Sequence, residues 1–193
     1  MAKSNILSTI SAAVLLGTLP GITNADGIKL LQTAEMVELP SLQAVGGGGV
    51  LKRAKQEVWT RLSTGGLDTD AAYSVWWVIF NRPGHCSDVP CSVEDLENEA
   101  VGGAVFYADG FITGADGTAN VTADLEAGPL PIGTDMLIPG VLRRGNGFGA
   151  EIHLVIRTHG PISPGSVGQQ TTTFDAECGV CMDQQAAVFP AVF

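Results

Sequence analysis

Positive charge is scarce in this chain. Its 193 residues hold 10 Lys and Arg against 20 Asp and Glu, a net charge of −10 with histidine neutral. Such a balance repels phosphate backbones and anionic lipid, which excludes nucleic-acid binding and docking on anionic membranes. Histidine is scarcer still, with three residues, so any histidine metal centre has to draw on His85, His153 and His159. A Gly-x-Ser-x-Gly elbow, a phosphate-binding loop and a dinucleotide fingerprint are all missing, and no serine stands in a recognisable base-bearing context. The glycines 46–49 are followed by "VLKR" rather than a Lys-Ser pair.

One long apolar run is present, at the start. Lys3 supplies a positive n-region, Ile6 to Ile22 an apolar h-region, and Thr23-Asn24-Ala25 the small residues a signal peptidase needs. At about 17 residues the run is at the short limit for a membrane span, and Gly17, Pro20 and Gly21 interrupt its end. Residues 1–25 therefore read as a signal peptide cleaved after Ala25, which makes the protein secreted or periplasmic, with no stable membrane insertion once the signal is gone. Cleavage removes Lys3 and no acid, so the mature chain is more acidic still.

Four cysteines remain: Cys86, Cys91, Cys178 and Cys181. In an exported chain an even number reads first as two disulfides. The spacings of "CSDVPC" and "CGVC" also suit a four-thiolate zinc site, and three disulfide pairings are open, each loop closing on itself being the simplest.

The remaining text is rich in Gly, Thr and Val, the mix of β-structure with many turns. Residues 26–49 read as a leader of partly helical spacing ended by Pro40, then a flexible hinge at the glycines 46–49. Residues 50–193 read as one domain. In "VLKRAKQEVWTRL", Val58, Thr60 and Leu62 alternate with Trp59 and Arg61. "AAYSVWWVIF" has the content of a buried central strand, and Gly65 and Gly66 predict a hairpin between these two runs. Trp76 and Trp77 must face opposite ways, one into the core and one into a second packed layer on the outer sheet face.

A long polar loop follows, with a short helix from Ser92 capped through Asp95. Its acids Glu94, Asp95, Glu97 and Glu99 read as solvated charge rather than a calcium site. Strands are predicted near 103–108, 110–113 and 118–126, loops over 129–150 and 161–170, and edge strands at "TTTFDA" and "QAAVFPAVF". Seven to nine short strands at this spacing make an all-β, antiparallel β-sandwich.

"EIHLVIRTHGP", Glu151 to Pro161, carries the main candidate chemistry. The strand period of two sends Ile152, Leu154 and Ile156 to the core and Glu151, His153, Val155, Arg157 and His159 to the opposite face. Six residues at ~3.3 Å hold His153 and His159 about 20 Å apart. Imidazoles sharing one ion need ring nitrogens within roughly 4 Å, so these two do not form one site. A shared copper or zinc centre would need His85 with His153 or His159, completed by an acid such as Asp88. The plainer reading is cross-strand hydrogen bonding, with Arg157 beside an acid.

"AYSVWWVIFNRP", the cysteine loop, "GGAVFYADGFITGADGTANVTADL" and "AEIHLVIRTHGP…PG" together resemble a family of exported bacterial β-sandwich proteins without an assigned activity, over residues 50–188. "THGPISPG" also distantly resembles the His-Gly-Pro turn of chordin-type domains. That resemblance implies a sandwich of the immunoglobulin-like or superoxide-dismutase-like sort. Where the chordin-type pattern commonly has a further histidine this chain has Arg157, so a His-x-His clamp is lacking. The expected function is an exported, non-enzymatic envelope, matrix or interaction module with no cofactor and an unknown protein or surface partner. The alternative is an extracytoplasmic copper or zinc protein, and a hydrolase is a more distant third.

Overall fold

The alternation along the chain decides which strands have one wet face and which have none. The computed structural model describes residues 29–175 and 181–192, so the signal peptide and Cys178 lie outside the described residues. Nine antiparallel strands form one sheet: β1 (Leu30–Glu38), β2 (Ala44–Arg53), β3 (Glu57–Thr64), β4 (Ala71–Phe80), β5 (Gly103–Ile112), β6 (Ala119–Glu126), β7 (Met136–Ile138), β8 (Glu151–Pro161) and β9 (Met182–Phe189). Their order across the sheet is β6-β3-β2-β1-β9-β8-β4-β5-β7.

The sheet curls so that its two halves face each other, which gives the all-β sandwich architecture expected of the sequence. Leu51, Val58, Leu62, Val121 and Leu125 from one half meet Tyr73, Trp77, Phe106, Ile152, Leu154, Ile156 and Phe189 from the other. The halves join where β1 pairs β9, through Met36–Ala187, Val37–Ala186 and Glu38–Gln185.

At that junction Arg53 is fully buried. Its Nη1 donates to the carbonyls of Gly147 and Ala150 at 2.8 and 3.0 Å, and its Nη2 to those of Phe189 and Pro190 at 3.0 Å each. Its Nε donates to the Gln32 side chain. All five donors of the guanidinium are thus used. Burial lowers its pKa to about 10, opposed by the charge of Glu151, so it stays cationic at neutral pH.

Several expectations are corrected. The leader and hinge are sheet: residues 30–38 are β1, and Gly46 to Gly49 lie within β2. At Gly47 and Gly49 the absence of a side chain answers to close packing rather than to flexibility. A Cβ on Gly49 would stand 2.8 Å from the Phe189 ring and 2.9 Å from Leu62, and one on Gly47, where φ is +115°, would strike the Ser63 carbonyl. The expected hairpin between β3 and β4 does not form. β3 pairs β2 and β6, whereas β4 pairs β5 and β8, and residues 65–70 cross between the halves. β4 is buried at every position, so it needs a partner on each side and cover on both faces, which a hairpin with the half-solvated β3 does not provide.

The breaks read at Asp109-Gly110 and at 161–176 also differ. Residues 103–112 are one strand, with a bulge opposite Val75 and Trp76 in place of a turn. Val167–Thr172 form a short helix, α1, where loop and the start of an edge strand were expected. Gln170 anchors it by donating to the carbonyls of His159 and Pro161 at 3.2 and 3.0 Å. β9 is interior, paired to β8 and β1 within the same chain.

Candidate functional site

Three places on the outer sheet surface hold the chemistry-bearing side chains, two on a covered face and one on a bare face. The outer side of β4, β5 and β8 is roofed by the segment 81–102 and by residues near β7 and Phe174. Trp76, Val78, Phe80, Leu96, Val101 and Val105 pack there as a second apolar layer, as the opposed tryptophans predict. The Cys86–Cys91 disulfide sits in this roof, so the loop does close on itself. Cys181 is disulfide-bonded as well.

Under the roof, Glu151 is buried and its Oε1 accepts from the Cys91 backbone N–H and from His153 Nε2, each at 2.7 Å. His153 also packs against Phe80, with ring centroids 5.0 Å apart. The carboxylate therefore ties the disulfide loop to β8. Nearby, Ser92 starts a 3-10 turn (Val93–Glu97) capped as the sequence predicts: Asp95 Oδ2 accepts from Ser92 N–H at 2.8 Å, while its Oδ1 takes Ser87 N–H at 2.8 Å. These bonds hold the Asp95 carboxyl below the ordinary aspartate range.

The second cluster lies toward the other end of β8. His159 Nε2 is 2.7 Å from Ser74 Oγ, and Trp76 Nε1 donates to the same oxygen at 2.7 Å. Indole is a donor only, so Ser74 Oγ accepts from Trp76 and shares a second hydrogen bond with His159 Nε2. The other ring nitrogen, Nδ1, faces Cys181 Sγ at 3.2 Å. Burial and the positive Arg157 lower the His159 pKa, with Asp175 opposing. Arg157 itself bonds Asp183 at 2.8 Å across the β8–β9 ladder and lies 3.9 Å over the Phe174 ring, which is the cross-strand pairing expected of this face. A Ser–His contact is the first element of a nucleophile–base pair, but Ser74 is 0% exposed, and no substrate carbonyl reaches it in this conformation.

His153 and His159 thus belong to separate clusters, as the strand spacing requires. His85 and Asp88 are exposed on the roof, and the loop that carries them meets β8 at Glu151. Among the described residues, the one set of three potential ligands whose donor atoms lie within 4.8 Å of one another is Cys86, Cys91 and Asp95, with no histidine in it. Its two sulfurs are joined to each other and its carboxylate is saturated by Ser87 and Ser92, so this donor set does not fit copper or zinc.

The bare face is the outer side of β3 and its neighbours. In β3 and β6 every second residue is exposed. Trp59 is 39% exposed there, and lies directly between Lys52 on β2 and Asp124 on β6. Beside it is a groove of about 490 Å³ lined by Lys52, Glu57, Trp59, Asp124 and Glu126. Sequence alone singles out the adjacent pair on β4, both of which are buried, rather than Trp59. The signal was present, because Trp59 stands on the polar phase of an alternating strand.

No family model matches the chain, and no curated protein matches it. Among solved structures it is similar to a mutant of the SOD-like protein from Bacillus subtilis, at 15% identity, over 82% of this chain and 97% of that one, with a TM-score of 0.40. No helix among the described residues is long and apolar enough to cross a membrane.

Proposed function

We propose that the protein is an exported, non-enzymatic β-sandwich module that acts in the envelope or surrounding matrix by binding through its bare sheet face. The observation that carries this reading is the contrast in how polar groups are used. Glu151, His153, Ser74, His159 and Asp95 are each engaged by neighbours within the fold, and the described residues include no buried side-chain nitrogen or oxygen without a partner. Groups fixed in this way hold strands and loops together. The polar groups around Trp59 face solvent instead. A disulfide in a surface loop agrees with an oxidising compartment, and the N-terminal segment supplies the export signal. The acidic surface disfavours nucleic acid and anionic lipid as partners.

The test is expression of the full chain in a bacterial host, followed by fractionation, intact mass and elemental analysis. The expected result is a periplasmic or extracellular form lacking residues 1–25 and free of stoichiometric copper or zinc. An unprocessed cytosolic chain would overturn export. A stoichiometric metal would replace the module reading with the metal-protein alternative.

A further inference from the structure

We infer that the bare face carries a carbohydrate subsite, in which one neutral pyranose ring stacks on Trp59 and hydrogen-bonds to Lys52, Asp124, Glu57 and Glu126. This deepens the binding-module reading and rests on it.

The site is built by register. Leu31 pairs Lys52, Lys52 pairs Trp59 and Trp59 pairs Asp124, so one rung across four strands carries all four side chains on the same face. With strands ~4.8 Å apart, Lys52 and Asp124 stand about 10 Å from each other with the indole between them. The groove beside them, about 490 Å³, falls within the range of small-molecule sites.

The fold alone does not account for two features of this rung and its neighbour. A tryptophan more than a third exposed on an open face leaves apolar ring in water. One step along, Glu57 lies directly opposite Glu126, and like charges so placed destabilise a sheet. Lys29 approaches Glu57 at 3.8 Å and relieves only part of this. Both features suit a polyol. The indole face is the negative pole of the ring quadrupole and takes the polarised C–H face of a sugar. Carboxylates accept bonds from hydroxyls, and the Lys52 ammonium donates to a ring or hydroxyl oxygen. An anionic sugar would meet three carboxylates. An amine would find the carboxylates but be repelled by Lys52, whereas a neutral ring uses donor and acceptors together.

The experiment is affinity electrophoresis of the purified mature protein through gels holding neutral polysaccharides: hydroxyethylcellulose, laminarin, galactomannan and dextran. Alginate and chitosan gels serve as anionic and cationic arms. Binding to oligosaccharides of any retaining polymer is then followed by tryptophan fluorescence. The expected result is retardation in at least one neutral gel, a millimolar affinity per ring, and a loss of at least about tenfold in Trp59→Ala. Trp59→Phe should keep part of the binding, and Asp124→Ala should weaken it at an unchanged melting temperature. Free migration through every neutral gel overturns the proposal, as does retention only on chitosan, or equal retention of the wild type and Trp59→Ala. Failure here leaves the localisation and metal results standing, so the two readings fail separately.

Discussion

The two halves of the sheet share one backbone geometry and differ in what lies on their outer sides. In the half made of β6, β3, β2 and β1, the outer residues of β3 and β6 are Glu57, Trp59, Arg61 and Ser63, and Asn120, Thr122, Asp124 and Glu126, all exposed. In the half made of β9, β8, β4, β5 and β7, β4 has no exposed position, because the disulfide-bearing roof covers its second face. A sheet half with cover needs apolar side chains on both faces, and one without cover needs them on one. The covered half engages Glu151, His153 and His159 in contacts within the fold, whereas the acids of β3 and β6 on the bare half face solvent.

Three tryptophans allow the contrast to be broken directly. Trp77 lies in the core between the halves, Trp76 beneath the roof, and Trp59 in solvent. Truncating Trp77 to alanine should cost about 3–5 kcal/mol of unfolding free energy, and Trp76 a comparable amount plus the bond to Ser74. Trp59→Ala should stay within about 0.5 kcal/mol. Urea unfolding of the three variants checks this ranking, and a large loss at Trp59 would remove the distinction between the faces.

The roof itself can be loosened next. The Cys86–Cys91 bond closes a short loop over Trp76 and Phe80, and replacing both cysteines by serine should lower stability by about 2 kcal/mol on the loop-entropy estimate. The loss should come with a rise in Trp76 exposure to acrylamide, with no change at the bare face. Equal quenching before and after would mean that the roof stays shut without its disulfide.

A smaller effect follows from His159. Its folded pKa lies below the ordinary value, so the unfolded chain takes up a proton first as pH falls. The contribution of the neutral, bonded imidazole is full above about pH 6.5 and declines as pH drops toward the lowered folded value. His159→Asn should flatten the stability profile in that window. It should leave the separate loss at lower pH, where protonation of Asp95 undoes the Ser87 and Ser92 bonds. A profile that keeps its slope near pH 6 in this variant would assign the window to another group.

How much of this was legible depends on whether the deciding neighbour lies nearby in sequence. Alternation at 57–62, the double-sided burial of β4, the separation of His153 from His159 and the Ser92–Asp95 cap all follow from period or from contacts within a few residues. The glycines of β2 did not, because their strand conformation answers to Phe189, Leu62 and the Ser63 carbonyl. The same holds for α1, held by Gln170 to the carbonyls of β8, and for β9, whose interior place depends on pairing β1 at the far end of the chain. In the site, the separation of His153 from His159 could be read from spacing, whereas Ser74 as a partner of His159 required the β4–β8 register.

The smallest effect tests the bare face from its least favourable pair. Glu57 and Glu126 face each other across β3 and β6 with Lys29 as partial compensation. Glu126→Gln removes the repulsion, keeps the side-chain volume and should raise stability by a few tenths of a kcal/mol at low salt. The gain should shrink toward zero as ionic strength rises, because exposed charges are screened. In the covered half a charge-neutralising change of the same kind, Glu151→Gln, should destabilise, since it weakens the acceptor for Cys91 N–H and His153. Opposite signs for one substitution type in the two halves would separate a carboxylate kept for the fold from one kept despite it.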